Sequence, residues 1–441
     1  MKWFIGIFLL LVIGVIFRLN LLVYAMYVML GVLILSRYFA NLWVKSLDTK
    51  RRPTESTVEI GDSVEVAIDV YNSGSLSVPW LLLEESLGRA GIVEVPRRLE
   101  VEGDRIKLVR VKAGRTETIE YRVKFLMRGY YQLGPLLLET GDVFGLHRRF
   151  RVATEPHFVL VMPKVLPLQG YNLASRRPIG EIRVAHRLFE DPTRVAGIRP
   201  YQRGDPLNRI HWRATARTGT LHSRLCETSR VAGAVFLLDF HRLSYPGAAG
   251  AGAMEVAITA VASLANAVFL QGEQIGLVSN GRDAADRIRI FGWRAEFTTR
   301  RDAQTRATSI VPNERLQPIV LPARKGADQF DQILQSLARL EPTDGLNFAQ
   351  LIEETEPRIR RDATVVAVLR HVTPATAVAL GELVRRGFVV TAIIIAFDEF
   401  VTPDWAQPPE WATLLLAHGV DFRYVTSEES ISDLCAEAIV R

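Results

Sequence analysis

Cysteine is scarce in this sequence, and its scarcity excludes several classes of protein. The chain of 441 residues contains two cysteines, Cys226 and Cys435. Two cysteines cannot build a disulfide framework or a cysteine-based metal cluster. We expect both to stay reduced as small apolar residues, which is typical of a cytosolic location.

Dense runs of basic residues are also missing. Lysine and arginine total 54 against 48 aspartates and glutamates, so the net charge is +6. Without basic runs interleaved with aromatic residues, we expect no nucleic-acid binding. Gly247, Gly250 and Gly252 lie in an alanine-rich loop that lacks the Gly-Lys-Ser/Thr ending of a nucleotide phosphate loop.

The sequence also lacks a recognisable pairing of a nucleophile with a base. His186, His211, His222 and Cys226 occur in one stretch, yet none has the context of a catalytic residue. We therefore expect no enzyme activity and no cofactor. An envelope-associated enzyme acting at the inner face of the membrane stays open as an alternative.

Two long apolar runs are present near the N-terminus, Trp3–Phe17 and Leu21–Ser36, separated by Arg18-Leu19-Asn20. Each is a little short of the ~20 residues that cross a bilayer upright. We predict a transmembrane helical hairpin over residues 1–45, with residues 3–36 in the membrane. A signal peptide and a hairpin that enters the bilayer without crossing it are the alternatives.

Basic residues flank this predicted hairpin. Lys2 precedes it, and the residues that follow it are Arg37, Lys45, Lys50, Arg51 and Arg52. The positive-inside bias predicts that both termini and the bulk of the chain are cytoplasmic, at the cell inner membrane.

The remaining chain divides by its hydrophobic period. Residues 55–162 alternate apolar and polar side chains between turn signals such as Asn72-Ser73-Gly74, which predicts an antiparallel β-sandwich. Residues 163–230 form a connector followed by an arginine-rich segment. The whole chain is therefore expected to be a multidomain α+β protein.

Residues 231–441 alternate strand-like and helix-like segments, which predicts a doubly wound α/β domain. The predicted strands are 234–239, 275–279, 287–291, 365–369, 388–396 and 421–425. The predicted helices are 254–270, 328–340 and 375–386.

The stretch from Arg199 to Gly219 has the strongest local pattern. It predicts a helix with Asp205 as its N-cap and Pro206 at its first position, ended by Gly219. Apolar residues recur at helical spacing and would form a narrow buried seam of Leu207, Ile210 and Ala214.

Three arginines, Arg209, Arg213 and Arg217, lie four residues apart on another face of this predicted helix. Either carboxylates elsewhere in the chain meet them as an internal strut, or an acidic partner does. Tyr201 and Trp212 fit a core or a contact role, and the core is favoured. The candidate partner-binding residues are Arg199, Tyr201, Arg203, Asp205, Arg209, Trp212, Arg213 and Arg217.

These motifs resemble those of a known family. Arg199-Pro-Tyr-Gln-Arg-Gly-Asp-Pro, followed by Arg209-Ile-His-Trp-Arg, is similar to the signature of domain-of-unknown-function family fifty-eight. Arg128-Gly-Tyr-Tyr-Gln-Leu-Gly-Pro and Asp142-Val-Phe-Gly-Leu resemble its upstream motif. The resemblance implies a two-helix membrane hairpin and a role as companion of a MoxR-type AAA+ ATPase, with no established reaction.

The order of elements after residue 231, with Asp239 ending the first strand, resembles a von Willebrand factor A-type domain. Such domains hold Mg²⁺ through Asp-x-Ser-x-Ser, a later Thr, and an Asp after the fourth strand. Here His241 and Leu243 stand at the serine positions, Arg370-His371 at the place of the acid, and Thr343 is in uncertain register. Asp239 is a weak metal candidate, and we expect no working metal site.

The sequence thus predicts a membrane-anchored adaptor or scaffold that binds a protein partner through the A-type domain and the arginine-rich segment. A Mg²⁺-dependent adhesion-type module is a further alternative. The oligomeric state stays open.

Overall fold

The computed structural model describes residues 2–87, 97–143, 145, 147–168, 190–200, 211–228, 233–286, 316–360, 363–396 and 410–434. The chain forms two compact units built from interleaved segments. The first unit comprises residues 1–164, 283–313 and 335–340, and the second comprises 165–282, 314–334 and 341–441.

Two helices, α1 (Lys2–Ile16) and α2 (Asn20–Lys45), begin the first unit. They pack on each other through a small apolar cluster that contains Ile7, Met26 and Leu33. Many of their other apolar side chains are exposed, and α2 is long and apolar enough to cross a membrane. Such a surface is stable in lipid and costly in water, which indicates membrane association.

The C-terminal turns of α2 are part of the folded core of the first unit. Trp43 is buried and stacks on Phe39, with ring centroids 5.6 Å apart. Ser36 Oγ and His147 Nδ1 lie 2.8 Å apart and share a hydrogen bond. The same helix therefore presents an apolar surface near its start and packs against protein near its end.

Ten strands follow α2 in the described part of the first unit. They are β1 (Leu47–Arg51), β2 (Thr57–Val58), β3 (Ser63–Asn72), β4 (Val78–Leu87), β5 (Leu99–Gly103), β6 (Ile106–Val111), β7 (Thr116–Phe125), β8 (Gly129–Gly141), β9 (Arg148–Val152) and β10 (His157–Val161). One sheet has the order β1-β3-β7-β5, and the other has the order β2-β10-β8-β4-β6 with β9 paired to β8.

Both sheets contribute to one hydrophobic core, in which Ile68 of the first sheet and Leu83 of the second are completely buried. The alternation of buried and exposed residues along β3 follows the two-residue period of a strand. In β6 the apolar Ile106 and Leu108 are instead exposed. They lie on the face of this edge strand opposite Val109 and Val111, which pack on the core.

Arg128, the first residue of the upstream motif, has a structural role in the first unit. Its guanidinium Nη1 donates to the carbonyl oxygens of Leu337 and Leu340, each at 3.0 Å, and to that of Ala338 at 3.3 Å. These carbonyls belong to residues 335–340 of the same unit, at the C-terminal end of a helix. A buried cation at carbonyls that the helix itself cannot satisfy is favourable.

The second unit is built on ten further strands and six helices among the described residues, with the division between the units falling inside β15, β17 and α5. The strands are β11 (Glu190–Pro200), β12 (His222–Thr228), β13 (Gly233–Leu238), β14 (Gln274–Ser279), β15 (Arg282–Asp283), β16 (Ile319–Arg324), β17 (Leu340–Glu341), β18 (Thr364–Leu369), β19 (Val389–Ile395) and β20 (Asp421–Val425). The helices are α3 (Trp212–Thr218), α4 (Gly247–Leu270), α5 (Ala327–Arg339), α6 (Phe348–Thr355), α7 (Pro374–Arg385) and α8 (Glu410–Ala417).

The main sheet of the second unit has six strands in the order β16-β14-β13-β18-β19-β20. β16 runs antiparallel to β14, and the other neighbours are parallel. Its central strands are apolar throughout, as is typical of a sheet covered on both faces. The predicted strand at 287–291 lies outside the described residues, and β16, α6 and α8 were not predicted.

Helix α4, like α2, is long and apolar enough to cross a membrane, but 72% of its most apolar stretch is buried in the protein. Ala257, Val261 and Ala265 on this helix are completely buried. Their burial identifies α4 as a core helix, since a membrane-crossing helix would present its apolar side chains to lipid.

We predict different outcomes for two N-terminal truncations. Deleting residues 2–35 should give folded protein in the aqueous fraction, because it removes the apolar surface and keeps Phe39 and Trp43. Deleting residues 2–46 also removes Trp43 and should cost about 3–5 kcal/mol of folding free energy, the usual effect of losing a buried tryptophan. Ultracentrifugation and thermal unfolding measure both effects. Equal melting temperatures for the two truncations would contradict the packing role of Trp43.

Candidate functional site

Helix α3 lies in the chain between β11 and β12, which form an antiparallel ribbon. His211 caps the helix, because its Nδ1 accepts the backbone N–H of Ala214 at 3.0 Å. Gly219 ends it with a φ of 71°, a conformation that glycine adopts without strain. The predicted stop is confirmed, and the described helix begins at Trp212 because the backbone of His211 is not helical. The predicted cap Asp205 and first position Pro206 lie outside the described residues.

The side chains of α3 are not buried. Trp212 is 66% exposed, and Arg213 and Arg217 are also exposed. The expected core role of Trp212 is therefore wrong, and Ala214 of the predicted seam is only half-buried. The other members of that seam, Leu207 and Ile210, lie outside the described residues. A helix of 7 residues offers too little length to bury a continuous apolar face.

The structure brings together only part of the predicted partner-binding set. Arg213 and Arg217 lie one turn apart on α3, as their spacing predicts, and neither forms an ion pair with another described residue. Arg199 lies in β11, opposite Ser223 of β12. The other members lie outside the described residues; they are Tyr201, Arg203, Asp205 and Arg209.

Asp239 lies at the carboxyl end of β13 and is 2% exposed. Its Oδ1 accepts the backbone N–H of His241 at 3.1 Å and the side-chain amide of Asn280 at 2.9 Å. Its Oδ2 accepts the hydroxyl of Ser244 at 2.6 Å. Both oxygens of this buried carboxylate are thus satisfied by donors from the protein, as a buried charge requires.

Asn280 and Tyr245 complete the polar network around Asp239. Asn280 accepts the backbone N–H of Phe240 at 2.6 Å and donates to the carbonyl oxygen of Leu346 at 2.9 Å. Tyr245 donates its hydroxyl to the carbonyl oxygen of Asp239 at 2.9 Å. The network therefore joins the loops that follow β13 and β14 to the segment before α6.

Burial raises the pKa of Tyr245 well above its usual value, and the Asp239 charge raises it further. The Arg370 guanidinium lowers that pKa, but its effect is the smaller one. Tyr245 therefore keeps its proton throughout the ordinary pH range and remains a hydrogen-bond donor.

Arg370 is the first residue after β18, the strand beside β13. Its Nε and Nη1 atoms are buried and have no hydrogen-bond partner among the described residues. Because Leu238 pairs with Val368, the ends of the two strands meet at one edge of the sheet. This edge, formed by Asp239, Asn280, Tyr245 and Arg370, is called the carboxyl edge below.

A Mg²⁺ ion does not fit the carboxyl edge. Hard cations need several oxygen ligands at once, and the Asp239 oxygens already accept three hydrogen bonds. Thr343 is buried close by, since it bridges to His241, but Arg370 puts a positive charge where an acidic ligand is needed. Among the described residues, no cluster of His, Cys, Asp and Glu could hold a metal.

Sequence reasoning missed the roles of Asn280, Tyr245 and Arg370. Arg370 was noticed only as the residue that replaces an acid, although its position directly after a buried strand is a signal for this edge. Asn280 also follows a strand, so the same signal applies to it. Tyr245 had no such signal, because its contact depends on the path of the loop after β13.

Comparison with known proteins connects part of the chain to a family. Residues 197–290 match the family described as "Protein of unknown function DUF58". A relative from Bacillus subtilis (strain 168), "Uncharacterized protein YeaD", is 22% identical over 241 residues, which cover 54% of this chain and 57% of that protein. The chain thus matches little more than half the length of this curated relative.

Solved structures show only weak likeness. The CARDB domain of the PF1109 protein from Pyrococcus furiosus has 12% identity and a TM-score of 0.17, covering 26% of this chain and 91% of that one. Proximal thread matrix protein 1 from the mussel byssus has 11% identity and a TM-score of 0.29, covering 46% of this chain and 44% of that one. These TM-scores are too low to support a fold assignment.

We predict that Asp239→Asn lowers the free energy of unfolding by about 1–3 kcal/mol, the usual cost of an unsatisfied buried polar group. An amide can replace only one of the two accepting oxygens, so at least one buried donor loses its partner. Chemical unfolding of the full chain in detergent measures the loss. Asp344→Asn, at an exposed aspartate, is the matched control; equal stability of the two variants would contradict the assigned network.

We also predict that Mg²⁺ leaves the melting temperature of the protein unchanged. A ligand that binds the folded state raises this temperature by mass action, so a rise would reveal a site. Thermal unfolding with and without MgCl₂, against NaCl at equal ionic strength, is the measurement. A rise that Asp239→Ala removes would show that the Asp239 network opens to bind the ion.

Proposed function

We propose that this chain is a membrane-anchored adaptor whose second unit binds an acidic partner protein, for which a MoxR-type AAA+ ATPase is the candidate. The observation that carries the proposal is the exposed surface of α3. There Arg213 and Arg217 stand one turn apart beside Trp212, and no described carboxylate pairs with either arginine. We call these three side chains the α3 surface.

The composition of the α3 surface favours an acidic protein partner. Two like charges four residues apart destabilise a helix by roughly 0.2–0.5 kcal/mol, which an external anion would offset. Arginine binds carboxylates through two parallel hydrogen bonds, and tryptophan and arginine are enriched among residues that dominate protein interfaces. An internal strut would need a carboxylate of this chain, and none of the described ones reaches either arginine.

The anchor is assigned to α1 and α2. Their exposed apolar side chains support a hairpin in the membrane, with Arg18 in the turn between the helices. Arg37 and Lys45 lie near the other end of α2 and Lys50 follows it, so the positive-inside bias puts both termini and the bulk of the chain in the cytoplasm at the inner membrane.

The fold of the second unit supports the A-type assignment. When its six sheet strands are numbered along the chain, their spatial order is 3-2-1-4-5-6, with the third strand antiparallel. This is a doubly wound order whose ligands bind at the carboxyl ends of the strands. The two sheets with one shared core in the first unit correspondingly support a β-sandwich.

In this function the protein catalyses no reaction and acts by holding its partner at the membrane. The anchor confines the α3 surface to the membrane, so a partner assembled there meets it at high effective concentration. Charged contacts at the rim speed the encounter, and the exposed tryptophan adds apolar area once water is displaced.

We predict that the double variant Arg213→Glu/Arg217→Glu stays folded and loses its partner. Reversal of two exposed charges should weaken binding at least tenfold, which corresponds to about 1.4 kcal/mol. The measurement is capture of the ATPase from solubilised membranes by the tagged full chain, followed by titration of the purified pair.

Arg324→Glu/Arg385→Glu is the matched control, because both arginines are exposed in the second unit and the change in net charge is the same. Equal capture by both double variants would rule out the α3 surface. A collapse of the melting temperature in Arg213→Glu/Arg217→Glu alone would favour the internal strut.

A further inference from the structure

The carboxyl edge includes the point at which the order of strands along the sheet reverses. From β13 the chain continues to β14 on one side, and it returns at β18 on the other side. Open α/β sheets bind their ligands outside the carboxyl ends of the strands at such a switch point. Asp239 and Arg370, the first residues after β13 and β18, flank it.

The guanidinium of Arg370 is incompletely satisfied. Nε and Nη1 are buried without a hydrogen-bond partner in the part of the chain that the structure describes, whereas the residue as a whole is only half-buried. Buried donors in native proteins almost always have partners, and a buried charge without one is costly. Because the residue is only half-buried, part of its side chain is exposed to solution.

The neighbouring carboxylate does not supply the missing partner. Both oxygens of Asp239 are occupied by the donors of His241, Ser244 and Asn280. These hydrogen bonds hold Asp239 in place. Arg370 therefore lies beside a buried negative charge that makes no ion pair with it.

We propose that Arg370 binds the side-chain carboxylate of an aspartate or glutamate presented by the partner protein. This assignment rests on the proposed function, in that it gives the second unit a second contact, separate from the α3 surface. Where A-type domains hold Mg²⁺, this chain has a guanidinium, so the positive charge is part of the protein and needs no divalent cation.

The local charge balance favours a carboxylate over a phosphate group. Arg370 and Asp239 nearly cancel, so a bound monoanion leaves one net negative charge at the edge, and a phosphate dianion leaves two. Arg242 and His371 are exposed, and solvent screens their charges. The planar guanidinium also matches the two oxygens of a carboxylate.

Thermal unfolding of the full chain in detergent micelles tests the assignment, with sodium acetate as the probe and sodium chloride at equal ionic strength as the reference. Acetate should raise the melting temperature of the parent by mass action and leave that of Arg370→Met unchanged. Without acetate, Arg370→Met should melt above the parent, because an apolar side chain replaces an unpaired buried charge. Arg385→Met, at an exposed arginine, should behave as the parent does.

Three results would overturn the assignment. They are a lower melting temperature for folded Arg370→Met than for the parent, an acetate effect of equal size in both proteins, and a larger effect of phosphate than of acetate. If Arg370→Met does not fold, Arg370→Lys decides, since it keeps the charge without the two-point geometry: a reduced acetate effect supports the assignment, and an unchanged effect overturns it. The probe needs no partner protein, so a parent protein that shows no acetate effect but still captures the ATPase refutes this site alone.

Discussion

The buried carboxylate of Asp239 is the constraint on which the carboxyl edge depends. A carboxylate removed from water is stable only when donors surround it, and here the loops after β13 and β14 supply them through Ser244, His241 and Asn280. The hydrogen bonds to this carboxylate therefore fix the conformation of both loops. Asn280 also donates to the carbonyl oxygen of Leu346 and so links this network to the segment before α6. The same hydrogen bonds occupy both oxygens of Asp239, whereas Nε and Nη1 of Arg370 have no partner among the described residues.

In the first unit, the apolar helix α2 continues directly into the hydrophobic core. Helix α2 enters the hydrophobic core at Trp43, and Leu47 at the start of β1 is completely buried. No flexible linker intervenes between the apolar surface and the sheets, because the chain passes from helix to strand within two residues. A membrane contact made by α1 and α2 would thus be transmitted directly to the folded unit.

Local patterns predicted local structure well where one physical signal dominated. Gly219 ends α3 because only glycine takes a φ of 71° without strain, and the central strands are recognisable because a sheet covered on both faces needs unbroken apolar runs. The cap at His211 was not predicted, because histidine is not among the usual N-cap residues. Trp212 was assigned to the core from its residue type, whereas exposure depends on what surrounds a side chain.

The sequence by itself determined the apolar hairpin, the change from two-residue to helical period, and the spacing of Arg213 and Arg217, because each of these is a property of neighbouring residues. Only the tertiary structure decided that α4 is buried, that Arg128 binds the end of a helix, and that Asp239 is saturated while Arg370 is not. The Arg128 contact joins residues more than two hundred positions apart, the Asp239 network joins two loops 41 positions apart, and the burial of α4 rests on the packing around a whole helix. Hydrogen bonding and burial at that range follow from the folded path of the chain, which no local period records.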